Sequence, residues 1–335
     1  MAPSPRPVIG SAALPTAVAT LAATRITPDL AVRVASLSGY VQSVHRAAVH
    51  VEVAPSCELF VLAVDDVGGI PGGILVGGIP DWRRLGLTPG MEVAGTDGCL
   101  AIAGAGVAIN TTVAPIWSPA LPASAGLAAT VSIDAARAVA ARTVAARRPA
   151  GGLGPLLTED LRLGDVRPGD PWLPAARLRI DRLAWAFGAG DLASVLGEAI
   201  ELIGLGPGLT PSGDDFLVGL LAGLEAIGHP AGPALASAVA HAARGRTTAI
   251  GAAMLGHAAR GHYAERLHDV LAAIATGRSD ALTRPIERAM AYGATSGADT
   301  LVGLFAGIGM PSAGSAGWAR PAGPSEDASN AVAAA

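Results

Sequence analysis

The sequence predicts an α+β protein in which a β-rich module precedes an α-helical module. Short runs rich in Val, Leu and Ile alternate with Gly and Pro turns as far as Trp117, and Ala-rich segments of helical length follow Pro122. Strands so closely spaced are typical of a small antiparallel sheet or barrel, and the lack of helices between them argues against a doubly wound parallel sheet. The expected divisions are an N-terminal leader (1–30), a β-rich module (31–120), an α-helical module (121–312) and a disordered tail (313–335).

Composition limits the chemistry of this chain. The 335 residues are 51% hydrophobic and 4% aromatic, with 44 Gly, so small aliphatic side chains must build the core. All 23 basic residues are Arg, which excludes a Schiff-base lysine and a Walker-type phosphate lysine. The net charge of −4 argues against a nucleic-acid-binding protein, which normally has a strongly basic surface. No run reaches the roughly 18 apolar residues of a membrane helix, so we expect a soluble, cytoplasmic protein.

The elements of the first module are predicted in chain order. The leader is rich in Pro and Ala, carries one early Arg and lacks a convincing cleavage site, so we expect a frayed or strand-forming start rather than a signal peptide. Val-rich and Gly-bounded runs then predict strands at 47–53, 58–64, 72–78, 91–94, 99–102 and 107–109.

The second module is predicted to be helical throughout. Its first helix is rich in Ala, ends in Arg and is stopped by the Pro/Gly stretch 149–155, while 168–174 is expected to be a loop. The predicted helices lie at 133–148, 178–187, 192–203, 216–227, 233–244, 247–260, 264–275, 280–292 and 300–308.

An internal repeat lies in this helical half. At an offset of 84, nine of thirteen positions beginning at Ser212 match those beginning at Ser296. A composition rich in Ala, Leu and Gly does not readily supply the ordered Ser-Gly-x-Asp that both copies share. We interpret each copy as a Ser N-cap, a carboxylate three positions later and a helix with a Gly-x-x-x-Gly face. Two such helices could cross on their glycine faces and bring both positive N-termini to one anion-binding pocket.

The candidate site follows from this arrangement. Asp214 and Asp215 are the candidate catalytic residues, because paired carboxylates suit a divalent cation, a substrate amide or ammonium group, or proton transfer. The alternative is that both carboxylates merely satisfy the helix N-terminus. Between the copies, Arg246 offers a planar donor fork, and Thr247 or Thr248 can cap the next helix. The candidate substrate-binding residues are Gly206, Gly208, Thr210, Ser212, Gly213, Arg246, Thr247, Thr248, Ser296, Gly297 and Asp299.

These motifs resemble the AllH family. The run 204–219, the segment 246–248 with its continuation to Leu267, and the late Ser-Gly-x-Asp carry the resemblance, which covers most of the chain. It implies a component of the oxamate carbamoyltransferase of anaerobic allantoin degradation, a branch of purine catabolism, acting with two partner proteins. That enzyme interconverts carbamoyl phosphate plus oxamate with oxalurate plus phosphate.

Three hypotheses follow. The first is an AllH-like subunit of a carbamoyltransferase that acts on small anions with partner subunits. The second is a non-catalytic assembly or regulatory subunit, and the third is a stand-alone metal-dependent enzyme on small carboxylates. The sequence requires no cofactor, although a divalent cation would fit the carboxylates, and we expect neither nucleic acid nor membrane as a partner.

Overall fold

The computed structural model describes residues 19–122, 130–147, 151–157 and 171–310. The chain divides into two compact units, with the boundary between Ser118 and Pro119. Most of the predicted leader and the whole predicted tail lie outside the described residues.

The first unit is a closed eight-stranded barrel. Its strands follow one another around the barrel in the order β1-β5-β4-β3-β2-β6-β7-β8. Neighbouring strands are antiparallel except β1 with β8 and β4 with β5, which are parallel. The strands are β1 Ala19–Ile26, β2 Ser38–Val44, β3 Ala48–Val53, β4 Leu59–Val64, β5 Gly73–Val76, β6 Glu92–Thr96, β7 Cys99–Ile102 and β8 Val107–Asn110, and the short helix α1 is Pro28–Arg33.

The barrel interior is filled by aliphatic side chains, as expected at this strand number. These side chains alternate with outward-facing residues along each strand, and Trp82 is fully buried with them. The six strands predicted from the sequence correspond to β3 to β8. Strand β2 was not predicted, because its Ser, Gly and Gln residues weaken the strand pattern, and β1 lies within the predicted leader. The fully buried interior residues are Val49, Val51, Leu62, Ile74, Val76, Leu100, Ile102 and Ile109.

The second unit is helical, which confirms the α+β fold class. Two helices begin four residues before their predicted starts, at Ser212 and Ser296, and the predicted helix 280–292 divides into a 3-10 turn and α9. Within 19–122, 130–147, 151–157 and 171–310, every helix is too short or too polar to span a bilayer. The helices are α2 Thr130–Arg147, α3 Leu173–Ala189, α4 Leu192–Leu202, α5 Ser212–Ala226, α6 Gly232–Ala242, α7 Ala249–Ala258, α8 Glu265–Ala275, α9 Thr283–Met290 and α10 Ser296–Ile308.

The two repeat helices, α5 and α10, cross on their glycine faces. A Cβ on Gly219 would overlap the carbonyl oxygen of Thr300, and a Cβ on Gly303 would overlap that of Phe216. The offset of 84 exchanges these two contacts, so the crossing has a local pseudo-twofold symmetry. One turn later, the reciprocal contacts of Gly223 and Gly307 repeat the relation. Because the contacts advance in the same direction along both helices, both N-termini lie at the same end of the crossing.

Candidate functional site

Helices α5 and α10 begin one residue earlier than the predicted capping scheme requires. Pro211 and Thr295 occupy the N-cap positions, and neither helix has a side-chain cap. Their carbonyl groups accept the first helical hydrogen bonds, at 3.1 Å from the fourth residue on in α5 and 2.9 Å in α10. The prediction that Ser212 and Ser296 are N-caps is therefore wrong, because both serines already lie inside the first helical turn.

The loop ahead of α5 depends on glycine. Gly204, Gly206 and Gly208 have φ angles of +78°, +105° and +106°, a region that other residues rarely adopt. Gly206 also lies close to the helix start, since a Cβ there would sit 3.1 Å from the Ser212 nitrogen. These glycines fix the path of the loop, and a role for Gly206 or Gly208 in substrate binding stays a prediction.

Gly213 and Gly297 allow the preceding segments to pack against the two helix starts. A Cβ on Gly213 would overlap the carbonyl oxygen of Leu202, and one on Gly297 would overlap that of Ala289. The two copies thus share the same close backbone approach. Packing alone accounts for both glycines, and their assignment to substrate binding also stays a prediction.

Asp214 is buried and fully hydrogen-bonded. Its Oδ1 accepts from the Gly204 N–H at 2.8 Å, and its Oδ2 accepts from the Thr247 hydroxyl. Burial raises the pKa of Asp214, and these two hydrogen bonds partly oppose that rise. A Cβ on Gly251 would overlap Oδ2, so glycine is required where α7 approaches. Asp214 therefore ties the loop and the α7 start to α5, and its catalytic role stays a prediction.

Thr248 is the N-cap of α7, as one of the two predicted alternatives has it. Its hydroxyl accepts from the Gly251 N–H at 2.9 Å and donates to the Leu209 carbonyl at 2.6 Å. The hydroxyls of Thr247 and Thr248 are thus both engaged in holding the glycine loop to α7.

Asp215 differs from its neighbour in having no hydrogen bond of normal geometry. Its side chain is fully buried, and neither carboxylate oxygen meets hydrogen-bonding geometry with any group. Burial raises the pKa of Asp215 well above its ordinary value, and the charge of Asp299 raises it further. The nearby hydroxyls of Ser296 and Thr210 and the Arg266 guanidinium offset part of this rise. A buried carboxylate without partners is costly to a fold, which makes it a candidate functional group.

Asp299 is buried at the matching position of α10. Its Oδ1 accepts from the Leu153 N–H at 2.5 Å. Gly152, at φ +81°, lies so close that a Cβ there would be 2.7 Å from the same oxygen. This segment was predicted only as a helix stop, and its contact with α10 was not predicted. The consecutive glycines at 151 and 152 were the available signal, since paired glycines often allow a close backbone approach.

A hydrogen bond joins the two repeat copies at the site. The hydroxyls of Thr210 and Ser296 are 2.9 Å apart. Arg246, in contrast, is 52% exposed and lies 3.9 Å from Glu201, so its side chain is directed to a surface ion pair. The structure therefore brings Thr210, Asp215, Ser296 and Asp299 together, and it does not place the Arg246 guanidinium with them.

The cation beside Asp215 is Arg266, which was not among the predicted site residues. Its guanidinium carbon lies 3.4 Å from the centre of the Tyr292 ring, and its Nη1 is buried without a hydrogen-bond partner. Arg266 is the second residue of α8. A cation in the first turn opposes the helix dipole, and this was the signal that could have identified it.

A divalent cation at these carboxylates stays a prediction. Across the described parts of the chain, His, Cys, Asp and Glu side chains nowhere gather in threes that could hold a metal ion. Asp214 turns its oxygens to Gly204 and Thr247, away from the set that contains Asp215 and Asp299.

Fold and site together define a two-unit protein, a closed β-barrel followed by a helical unit built on a duplicated helix start. The barrel matches the family model described as the AllH family N-terminal domain, over residues 20–116. The segment from the end of α4 to the end of α10, residues 202–308, matches the model described as oxamate carbamoyltransferase subunit AllH. The chain belongs to the AllH family, as the sequence motifs predict. No solved structure matches it.

Proposed function

We propose that this chain provides the Asp215 site of a carbamoyltransferase that converts carbamoyl phosphate and oxamate to oxalurate and phosphate, or runs the reverse reaction, together with partner subunits. The observation that carries this proposal is the fully buried Asp215 carboxylate, neither of whose oxygens has a hydrogen bond of normal geometry. The family description supports the substrate class, and the matched segment 202–308 contains the whole cluster. Breakdown of allantoin is the pathway that this reaction serves.

The chemistry requires a proton acceptor. The amide nitrogen of oxamate attacks the carbamoyl carbon, a new N–C bond forms, and the bond from that carbon to the phosphate oxygen breaks. The amide nitrogen loses one proton in the process. Asp215 takes that proton, and the raised pKa of its carboxyl group makes it a stronger base than an exposed aspartate.

The test is turnover by the full chain reconstituted with its partner subunits. Asp215→Asn keeps the shape of the side chain and removes the proton acceptor, so we expect kcat to fall about 100-fold or more. Asp280→Asn is the matched control, because Asp280 is an exposed aspartate paired with Arg278, and it should keep full activity.

Two outcomes would contradict the proposal. Retained turnover in Asp215→Asn would remove the site assignment. Equal activity of the partner subunits with and without this chain would make it an assembly or regulatory subunit instead.

A further inference from the structure

Arg266 is the second group of this cluster that lacks a full set of partners. Its guanidinium carbon lies over the Tyr292 ring, 3.4 Å from the ring centre, a cation–π contact that restricts where the guanidinium can move. Its buried Nη1 has no hydrogen-bond acceptor. A buried N–H donor without an acceptor is as unusual as the bare carboxylate of Asp215.

The backbone places this guanidinium at the α10 start. Tyr292 lies in the turn between α9 and α10, and its carbonyl accepts from the Gly297 N–H at 3.0 Å. Ser296, the preceding residue, contacts the Thr210 hydroxyl. Arg266, which packs over Tyr292, therefore lies beside the start of α10, where the two copies meet. Its charge also lowers the pKa of Asp215, although no hydrogen bond joins the two side chains.

We propose that Arg266 is a specificity-determining residue that binds the carboxylate of an amide or ureido carboxylate while Asp215 accepts its N–H. This inference rests on the proposed function and names the part of the substrate that the site selects. The Nη1 donor of Arg266 and the two acceptor oxygens of Asp215 complement a molecule whose amide carbon is bonded directly to a carboxylate. Oxamate and oxalurate both have this arrangement.

The charge balance favours the carboxylate over the phosphate as the partner of Arg266. Asp215 and Asp299 already place two buried acids in the cluster. A phosphate dianion would add two further negative charges, whereas a carboxylate adds one. The planar carboxylate also matches the planar guanidinium that Tyr292 holds in place.

The test compares the two substrates of the reconstituted enzyme in an Arg266→Met variant, which keeps most of the apolar stem and removes the donors. We expect the KM for oxamate to rise about 10- to 100-fold, with the KM for carbamoyl phosphate nearly unchanged. The preference for oxamate over its neutral analogue oxamide should fall toward one. Arg288→Met is the control, because Arg288 is 54% exposed and pairs with Asp269 at 3.1 Å.

An unchanged preference for oxamate over oxamide, or an equal rise in both KM values, would overturn the inference. If Arg266→Met does not fold, Arg266→Lys decides, because the lysine keeps the charge and loses the planar fork. It should weaken oxamate about 3- to 10-fold and leave carbamoyl phosphate unaffected.

Failure of the inference and failure of the proposed function give different results. Turnover that survives Asp215→Asn contradicts the proposed function. Turnover that is lost there, combined with an unchanged oxamate preference in Arg266→Met, contradicts the inference alone. Calorimetric titration of the full chain with oxamate provides a readout besides activity, and Arg266→Met should abolish the binding heat that the wild type shows.

Discussion

The two repeat copies share a backbone geometry but differ in what surrounds their last carboxylate. In the α10 copy, Asp299 accepts a hydrogen bond from Leu153 of a segment that closes over the helix start. In the α5 copy, Asp215 is buried to the same extent, and neither of its oxygens has a hydrogen bond of normal geometry. The duplicated sequence therefore determines where the two acids lie, and the surrounding segments determine which backbone donors reach them.

The residue before that carboxylate also differs. Asp214 in α5 holds the glycine loop and α7, whereas Ala298 in α10 is an apolar residue packed near Gly154. Asp214 and Asp215 are adjacent in sequence but differ in environment. Asp214 is hydrogen-bonded by its neighbours, whereas neither oxygen of Asp215 has a hydrogen bond of normal geometry.

The largest expected effect is at the symmetric crossing itself. Gly219→Ala and Gly303→Ala would each force a Cβ into a backbone carbonyl of the partner helix, and backbone cannot move aside as a side chain can. We expect each to lower the free energy of unfolding by about 3 kcal/mol or more, measured by urea denaturation. The pseudo-twofold relation predicts similar losses for the two variants.

Gly197→Ala is the control for this prediction. Gly197 lies inside α4 with open space where a Cβ would stand, so alanine there should stabilise the protein by about 0.5–1 kcal/mol. A mild effect at one crossing glycine and a severe effect at the other would show that the two halves of the crossing are not equivalent.

The next largest expected effect is on stability, and it distinguishes Asp214 from Asp215. Asp214→Ala leaves the Gly204 N–H without its acceptor and frees the loop from α7, so we expect a loss of about 2–4 kcal/mol in urea denaturation. Asp280→Ala removes an exposed ion pair with Arg278 and should leave stability nearly unchanged. If Asp214→Ala matched this control, Asp214 would not be the clamp that its hydrogen bonds indicate.

The sequence predicted part of this arrangement of the two repeat copies. The match between Ser212 and Ser296 at a fixed offset, together with the glycines four residues apart on each helix, was sufficient to predict the crossing. The prediction of side-chain caps was wrong because the spacing from Ser to the carboxylate is the same wherever the helix begins. The spacing therefore does not show whether the Ser is at the cap or one residue inside the helix. Only the backbone hydrogen bonds of Pro211 and Thr295 distinguish the two positions.

Two residues of the site were not predicted from the sequence, and the physical reason is the same for both. Leu153 and Arg266 reach the cluster through tertiary packing from segments that carry no copy of the repeat. Local pattern cannot report such contacts, because they depend on where α8 and the 151–157 segment dock on the crossing. Arg246 is a different case, since its position next to a helix cap predicts a donor for the site while its side chain lies beside Glu201 at the surface.

The smallest expected effect is a gain in stability that depends on pH. Because the folded protein raises the pKa of Asp215, it keeps that proton to a higher pH than the unfolded chain does. The contribution of Asp215 to stability is therefore complete below the ordinary pKa of 3.8 and is lost as the pH rises through the raised value. Asp215→Asn removes this loss, so the variant should exceed the wild type by about 1 kcal/mol at neutral pH.

The decisive measurement is how the stability difference between the variant and the wild type changes with pH. Thermal unfolding of both proteins is followed from about pH 3.5 to neutrality, in steps of about half a pH unit. The advantage of Asp215→Asn should be small near the ordinary pKa and grow as the pH rises. Asp280→Asn should behave in the opposite sense, because the hydrogen bond from Arg278 lowers the pKa of Asp280. A flat difference would mean that Asp215 finds a partner in solution, and the contrast between Asp215 and Asp299 would then disappear. A growing difference, together with lost turnover, would show that the α5 copy gives up stability for function where the α10 copy does not.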